Sequence, residues 1–284
     1  MKQWETVAIV GVGLIGGSIG LALRERELAR TITGIGRRPA SLRKAKKCGA
    51  VTGTTMDLVR GVAEADLIIV CTPVADIVNR VLQVADACPA EALITDVGST
   101  KGEIVGQLDK TLNGKRGRAT FVGSHPLAGS EKTGPQFARA DLFENRTVIV
   151  TPTRRTSKSS VGKTKSLWAS VGATVVTKTP QDHDQCVAAI SHLPHLLASA
   201  LVNATPAEVL SLAAGGWHDT TRVAAADAEL WRQILADNRL HVLKSLDKFE
   251  KVLAKFRRAL EKDDQNKLLN LLEAGKQNRE SVGN

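Results

Sequence analysis

No stretch of the 284-residue chain holds the roughly 18 consecutive apolar residues needed to cross a bilayer. Cysteine is scarce. Cys48, Cys71, Cys88 and Cys186 lie far apart with no Cys-x-x-Cys spacing, which excludes a disulfide-stapled module and leaves neither a zinc knuckle nor a redox dithiol. Reduced, structural thiols are expected. The segment Met1 to Thr6 leads straight into Val7-Ala8-Ile9-Val10, without the basic flank, long apolar core and cleavage site of a secretory signal, so a cytoplasmic location is expected. Aromatic residues make up only 3%. None interleaves the basic stretch Arg154 to Lys165 to stack on bases, so neither nucleic acid nor membrane is an expected partner.

What is present is the balance of an ordinary globular protein, with 43% hydrophobic and 24% charged residues over a length that suggests two domains. The net charge of +10 suits a small anionic substrate, a nucleic-acid surface or plain solubility, and its sign does not choose among them. Short β-branched runs alternate with helical stretches through the first half. Strands are expected at 6–10, 31–35, 67–71, 93–95, 121–122, 147–150 and 174–177, with helices at 15–28, 40–48, 76–87, 100–112 and 160–171. This is the pattern of an α/β, Rossmann-type doubly wound parallel sheet. Strand signals end near Gln181, which predicts a dinucleotide-binding domain over 1–178 and an all-α domain over 179–284. Within the latter, Val242, Leu246, Phe249, Leu253, Phe256 and Leu260 form a heptad seam facing either its own domain or a second subunit.

Gly11-Val12-Gly13-Leu14-Ile15-Gly16 directly follows an expected strand and opens an expected helix, the context in which a Gly-x-Gly-x-x-Gly turn cradles a dinucleotide. Gly11 permits the tight turn, Gly13 lets a pyrophosphate approach, Gly16 lets helix and strand pack, and the helix start at Leu14 and Ile15 supplies backbone donors. The second strand ends Gly34-Ile35-Gly36-Arg37-Arg38, where an NAD enzyme would carry an acid for the ribose hydroxyls. Two guanidinium groups suit a ribose 2′-phosphate, so NADP is favoured over NAD.

Ligands of such sheets lie beyond the carboxyl ends of the strands. Three loops therefore stand out: Thr72-Pro73-Val74, Asp96 to Lys101, and Ser124 to Lys132. The first adds Thr72 and Pro73 to the cofactor site, and the others bring Ser99 and His125 toward a nicotinamide. The glycine turn, the Asp96 to Lys101 loop, His125-Pro126-Leu127-Ala128-Gly129, Ser191-His192-Leu193-Pro194-His195, and Asp219-Thr220-Thr221-Arg222 through Trp231 occur in that order. With them the chain resembles the prephenate and arogenate dehydrogenases of tyrosine biosynthesis over nearly its whole length.

The resemblance implies oxidative decarboxylation of a small anionic cyclohexadienyl acid, with a hydride passing to NAD(P). It implies His125 as general base, Ser99 bonded to His125 and the substrate hydroxyl, and Arg222 on the side-chain carboxylate. His195 would bind substrate, while Glu131, Gly215 and Trp231 would stand near the pocket, Trp231 presented by the partner of a homodimer built through the helical domain. His-Pro-Leu-Ala-Gly-Ser-Glu-Lys resembles the forms that use prephenate. Any feedback by tyrosine would act at the active site, since the chain leaves no room for an appended regulatory domain. No metal is expected: His192 and His195 are three residues apart, and although Asp182 and His183 could nominally add a ligand, hydride removal needs none. Two other readings stay open. A β-hydroxyacid dehydrogenase would carry a lysine in its helical domain, and none stands out around Ser191 to His195. A non-catalytic dinucleotide sensor would leave Ser99, His125 and Arg222 without a purpose.

Overall fold

The computed structural model describes residues 3–113, 118–130 and 132–282. The chain runs β1 (Trp4–Val10), α1 (Leu14–Glu25), β2 (Ala29–Ile35), α2 (Pro39–Lys47), β3 (Gly53–Thr55), α3 (Leu58–Val62), β4 (Leu67–Val70), α4 (Val74–Ala85), β5 (Leu93–Asp96), α5 (Gly102–Thr111), β6 (Thr120–Pro126), β7 (Thr147–Thr151), α6 (Lys158–Ser170) and β8 (Thr174–Thr177). These strands form one sheet in the order β3-β2-β1-β4-β5-β6-β7-β8. The order reverses at β1, so β1 and β4 flank the switch point where a ligand crevice opens. The second half of β1, Val7 to Val10, is an unbroken apolar run because both its faces are covered. Val7 and Ile9 join the core beneath α1, α2 and α6, whereas Ala8 and Val10 join the one beneath α3, α4 and α5.

Two short elements, β3 and α3, have no counterpart among the strands and helices expected from sequence. At three and five residues they are too brief for periodicity to register. The uniformly parallel sheet also needs one correction, because β6 and β7 pair antiparallel. A parallel return requires a crossover, usually a helix. Among the described residues, the link from β6 to β7 holds only a 3-10 turn, Pro135–Phe137, so the chain re-enters from the end at which β6 left. The consequence falls on His125. β5 pairs with β6 only as far as Val122, so Gly123 to Pro126 take their strand pairing from β7 alone, with Asp96 at the end of β5 adding hydrogen bonds to Ser124.

After β8 come α7 (Pro180–Val187), a π-helical turn (Ala188–His192), α8 (Leu193–Ala204), a 3-10 segment (Ala207–Leu212), α9 (Gly215–Thr221), a 3-10 turn (Arg222–Ala225) and α10 (Ala228–Asp237). Thr179 starts α7 by accepting a hydrogen bond from the Asp182 backbone N–H, with Pro180 in the first turn. Pro194 has no N–H, and its ring crowds the carbonyl four residues back, so the ladder widens into the π turn just before it. The continuous helical run Pro180–Ala204 is 25 residues long and, by length and composition, could cross a membrane. It nevertheless carries His183, Asp184, His192 and His195, all buried.

Contacts divide the chain into Met1–Asn238 and Arg239–Asn284. The first unit therefore holds α7 to α10 together with the sheet, and Ile234 of α10 joins the core beneath α4. The second consists of α11 (Arg239–Glu261), which carries the whole heptad seam, and α12 (Gln265–Glu280), capped by Asp264. These two helices pack on each other.

Candidate active site

The glycine turn is built by close approach. Gly11 has φ +99°, and a Cβ there would lie 2.5 Å from the Cys71 carbonyl oxygen on the neighbouring switch-point strand. A Cβ on Gly16 would lie 2.1 Å from the Gly11 carbonyl oxygen, so helix and turn touch through it. Gly13 is different: a Cβ there meets nothing within 4 Å, and no side chain caps the first turn of α1. Bare backbone donors thus face open space, the arrangement a pyrophosphate needs. A cleft of about 170 Å³ adjoins them, lined among others by Gly36, Arg37, Thr72, Pro73 and Asp76. Arg37 is exposed, 4.0 Å from Asp76, and Arg38 is exposed at the start of α2. The Thr72 hydroxyl is buried with no hydrogen-bond partner. An orphaned donor and an uncapped helix start fit a dinucleotide.

Beyond the ends of β5 and β6 the character changes to a dense, buried polar network. Lys101 and Asp96 are both fully buried and form an ion pair. Asp96 also accepts from the Gly98 N–H at 2.8 Å and the Ser124 N–H at 3.1 Å. Asp184 reaches from α7 to cap α5, accepting from the Lys101 and Gly102 backbone N–H groups, both at 2.8 Å. Its Oδ1 lies 2.7 Å from His183 Nδ1, and His183 Nε2 lies 2.8 Å from Nδ1 of His125. Asn238 donates to the Asp184 carbonyl at 2.8 Å and to His192 Nδ1 at 3.1 Å. The His195 ring stacks on Trp231 with centroids 3.5 Å apart, and its Nδ1 is buried without a partner.

Burial is the first cause of every histidine shift here. It pushes His125 well below its ordinary value, with His183, Lys101 and His192 adding like-charge repulsion. His192 falls to about 4, and His183 and His195 also move down. Burial alone would raise the Asp184 carboxyl, yet the His183 and backbone hydrogen bonds outweigh it and hold the group below the ordinary carboxylate range. The cluster at neutral pH is therefore neutral imidazoles beside an ionised carboxylate. Burial, reinforced by Asp96, raises the Cys71 thiol, so it stays protonated and is no nucleophile.

His125 is only 8% exposed and stands inside β6 rather than in the loop after it. Ser99 is half-buried in the Asp96 to Lys101 loop. No hydrogen bond joins it to His125, whose Nδ1 is taken by His183. Trp231 stacks on His195 of the same chain. Arg222 is exposed at the end of α9, without an ion-pair partner among the described residues, in a turn that packs on α8, the helix of His195. Gly215 is exposed at the start of α9, and Glu131 lies outside the described residues. Also among the described residues, no three His, Cys, Asp or Glu side chains gather to hold a metal, and all four cysteines are free, Cys48 exposed. Sequence reasoning missed His183 and Asp184 as parts of the site. Their signal was a histidine and an acid one turn into a helix that then becomes apolar on every side.

A switch-point crevice with a glycine turn, and a buried neutral histidine past its rim, define a dinucleotide-binding α/β protein of the dehydrogenase kind. Residues 19–177 match the family model for the prephenate dehydrogenase nucleotide-binding domain, and residues 179–274 match that for its dimerization domain. The chain belongs to the prephenate dehydrogenase family. It is 35% identical to a prephenate dehydrogenase of Bacillus subtilis over 98% of this chain and 76% of that one. A solved prephenate dehydrogenase of A. aeolicus, in complex with hydroxyphenyl propionate and NAD+, superposes with a TM-score of 0.90 at 33% identity, covering 98% of both chains. An arogenate dehydrogenase of Synechocystis superposes at 0.82 with 29% identity, over 98% of this chain and 99% of that one.

Proposed function

We propose that the protein catalyses oxidative decarboxylation of prephenate, with arogenate as the alternative substrate, using NADP in preference to NAD. The observation that carries this reading is the buried, neutral His125 beyond the sheet end that also bears the glycine turn. A neutral imidazole accepts the hydroxyl proton of the substrate as carbonyl character develops on the ring carbon. The bound nicotinamide supplies the chemistry of accepting the hydride from that carbon. The ring carboxylate leaves as carbon dioxide, and its bonding pair completes the aromatic ring.

Gly11, Gly13, Gly16 and the Leu14–Ile15 helix start hold the pyrophosphate, with Thr72 and Pro73 on the facing strand end. Arg37 and Arg38 take the ribose 2′-phosphate at the cleft edge; the missing acid at Gly36 supports this, although Asp76 beside Arg37 competes for its charge. Ser99 hydrogen-bonds the substrate hydroxyl. Arg222 holds the side-chain carboxylate through a paired contact, and His195, its ring fixed on Trp231 and its Nδ1 free, binds substrate beside it. Gly215 and Glu131 stand at the pocket mouth.

The functional division lies at 178/179, with the helical part forming a homodimer in the cytoplasm. Leu253 and Leu260 of the heptad seam, 54% and 64% exposed, support a second copy as their cover. The test is an absorbance assay of purified protein with prephenate and arogenate, each against NAD and NADP. Reduction of cofactor in the prephenate cells, faster with NADP, is expected; no turnover in any cell, with cofactor still bound, would overturn the reading.

A further inference from the structure

The hydrogen bonds around His125 determine which of its nitrogens is the base, and this rests on the dehydrogenase reading above. An ionised carboxylate only accepts hydrogen bonds. Because Asp184 Oδ1 lies 2.7 Å from His183 Nδ1, that nitrogen carries its proton, and the neutral ring presents a lone pair at Nε2. His183 Nε2 in turn lies 2.8 Å from His125 Nδ1, so the proton of that contact sits on His125 Nδ1. By elimination the lone pair of His125 is at Nε2, to which no described residue hydrogen-bonds.

We propose that His183 and Asp184 are positioning residues which hold His125 in the Nδ1–H tautomer and stabilise the imidazolium formed when its Nε2 takes the substrate proton. The step balances without another group. The substrate O–H bond breaks, a bond from that proton to His125 Nε2 forms, and the charge of the Asp184–His183–His125 chain passes from −1 to 0. An isolated buried imidazolium would have no such compensation. Lys101, whose charge acts on His125, is already paired with Asp96, and His192 is held neutral.

The frame that aims this chain is rigid. The Asp184 carboxylate is fixed by the first backbone donors of α5, and a Cβ on Gly102 would lie 2.7 Å from Asp184 Oδ2, so a glycine there leaves room for it. At its other end His125 is locked into β6 by pairing with Ile149 of β7. Neither His183 nor Asp184 needs to touch substrate.

The test combines a spectroscopic with a kinetic readout on the full-length protein. With 15N-labelled histidine, assigned by the resonances lost in His125→Asn, the wild type is expected to show a protonated Nδ1 and a bare Nε2 on His125 at neutral pH. Asp184→Asn lets His183 turn over, so His125 should become a tautomer mixture and kcat should fall about 100-fold, with KM for both substrates within about twofold. His183→Phe should lower kcat comparably. His183→Gln, whose amide oxygen can accept the same hydrogen bond, should keep the tautomer and recover part of the rate. A bare Nδ1 in the wild type, or unchanged kcat in a folded His183→Phe, would overturn the proposal. Should His183→Phe not fold, Asp184→Asn with wild-type kcat does so instead. A wild type with the expected tautomer but no turnover would sink the dehydrogenase reading and leave the hydrogen-bond chain standing.

Discussion

The two halves of the site are built on opposite principles. At the β1 and β4 ends the structure works by omission: no Cβ at Gly11, Gly13 or Gly16, no capping side chain on α1, and an open cleft bounded by exposed arginines. Past β5 and β6 it works by addition, crowding Lys101, Asp96, Asp184, His183, His125, His192 and Asn238 into a buried network joined by hydrogen bonds and an ion pair. An open site of backbone donors tolerates sequence change around it but not at the glycines. A buried polar network fails when any one member is removed, because the remaining groups are left desolvated and unpaired.

The contrast can be broken in several places. The largest effect is expected from His125→Asn, which should lower kcat on the order of 10²- to 10⁴-fold while cofactor affinity, read by fluorescence titration, hardly moves. Unaltered turnover would remove His125 from the chemistry. Next comes Lys101→Met, which leaves the Asp96 carboxylate buried without its cation and should cost about 3–5 kcal/mol of unfolding free energy in urea. A cost below about 1 kcal/mol would mean that water reaches the pair.

Acid should act on the same region. The unfolded chain binds a proton on each histidine near 6.5, whereas folded His192 does so only near 4. The unfolded state thus holds more protons between those values, so stability is complete above about pH 6.5 and declines as pH falls toward 4. His192 alone corresponds to a loss of about 3 kcal/mol, with His125 and His183 acting in the same direction. A flat urea midpoint across this range would contradict their burial as neutral rings.

The open half should respond in another currency. Gly13→Ala is expected to leave stability unchanged, because its Cβ meets nothing, yet to weaken NADP binding about tenfold. Gly16→Ala should instead destabilise the fold by about 1–3 kcal/mol, its Cβ landing on the Gly11 carbonyl. Equal stabilities for the two would show that the turn is looser than the contact implies. The smallest change is expected from Gly36→Asp. The nearest contact of the new Cβ is Leu42 at 3.4 Å, which the fold can accept, and the NADP-to-NAD preference should drop about tenfold. An unmoved ratio would free Arg37 and Arg38 from any role in reading the phosphate.

Most of the open half was legible before folding, because a strand, a glycine turn and a helix are contiguous in the chain, although the approach of Gly11 to the Cys71 carbonyl is made only in the folded sheet. The β6 to β7 reversal was not legible: strand direction is decided by where a link re-enters the sheet, and the apolar run 147–150 reads the same in either sense. The break at Asn238, eleven residues short of Phe249 in the heptad seam, likewise comes from contacts rather than from the end of strand signals near Gln181.

From the sequence alone came the element pattern of the sheet, the dinucleotide turn, the missing acid at Gly36, and His125 and His195 as chemically marked positions. Local spacing and backbone sterics are enough for the first three, whereas the two histidines were marked by the resemblance to the prephenate and arogenate dehydrogenases. Only the tertiary structure joined His125 to His183 across 58 residues and Asp184 to the start of α5 across 83, and stacked Trp231 on His195. Which imidazole nitrogen is bare depends on a hydrogen-bond chain through three elements, and such a chain exists only once sheet and helices have packed.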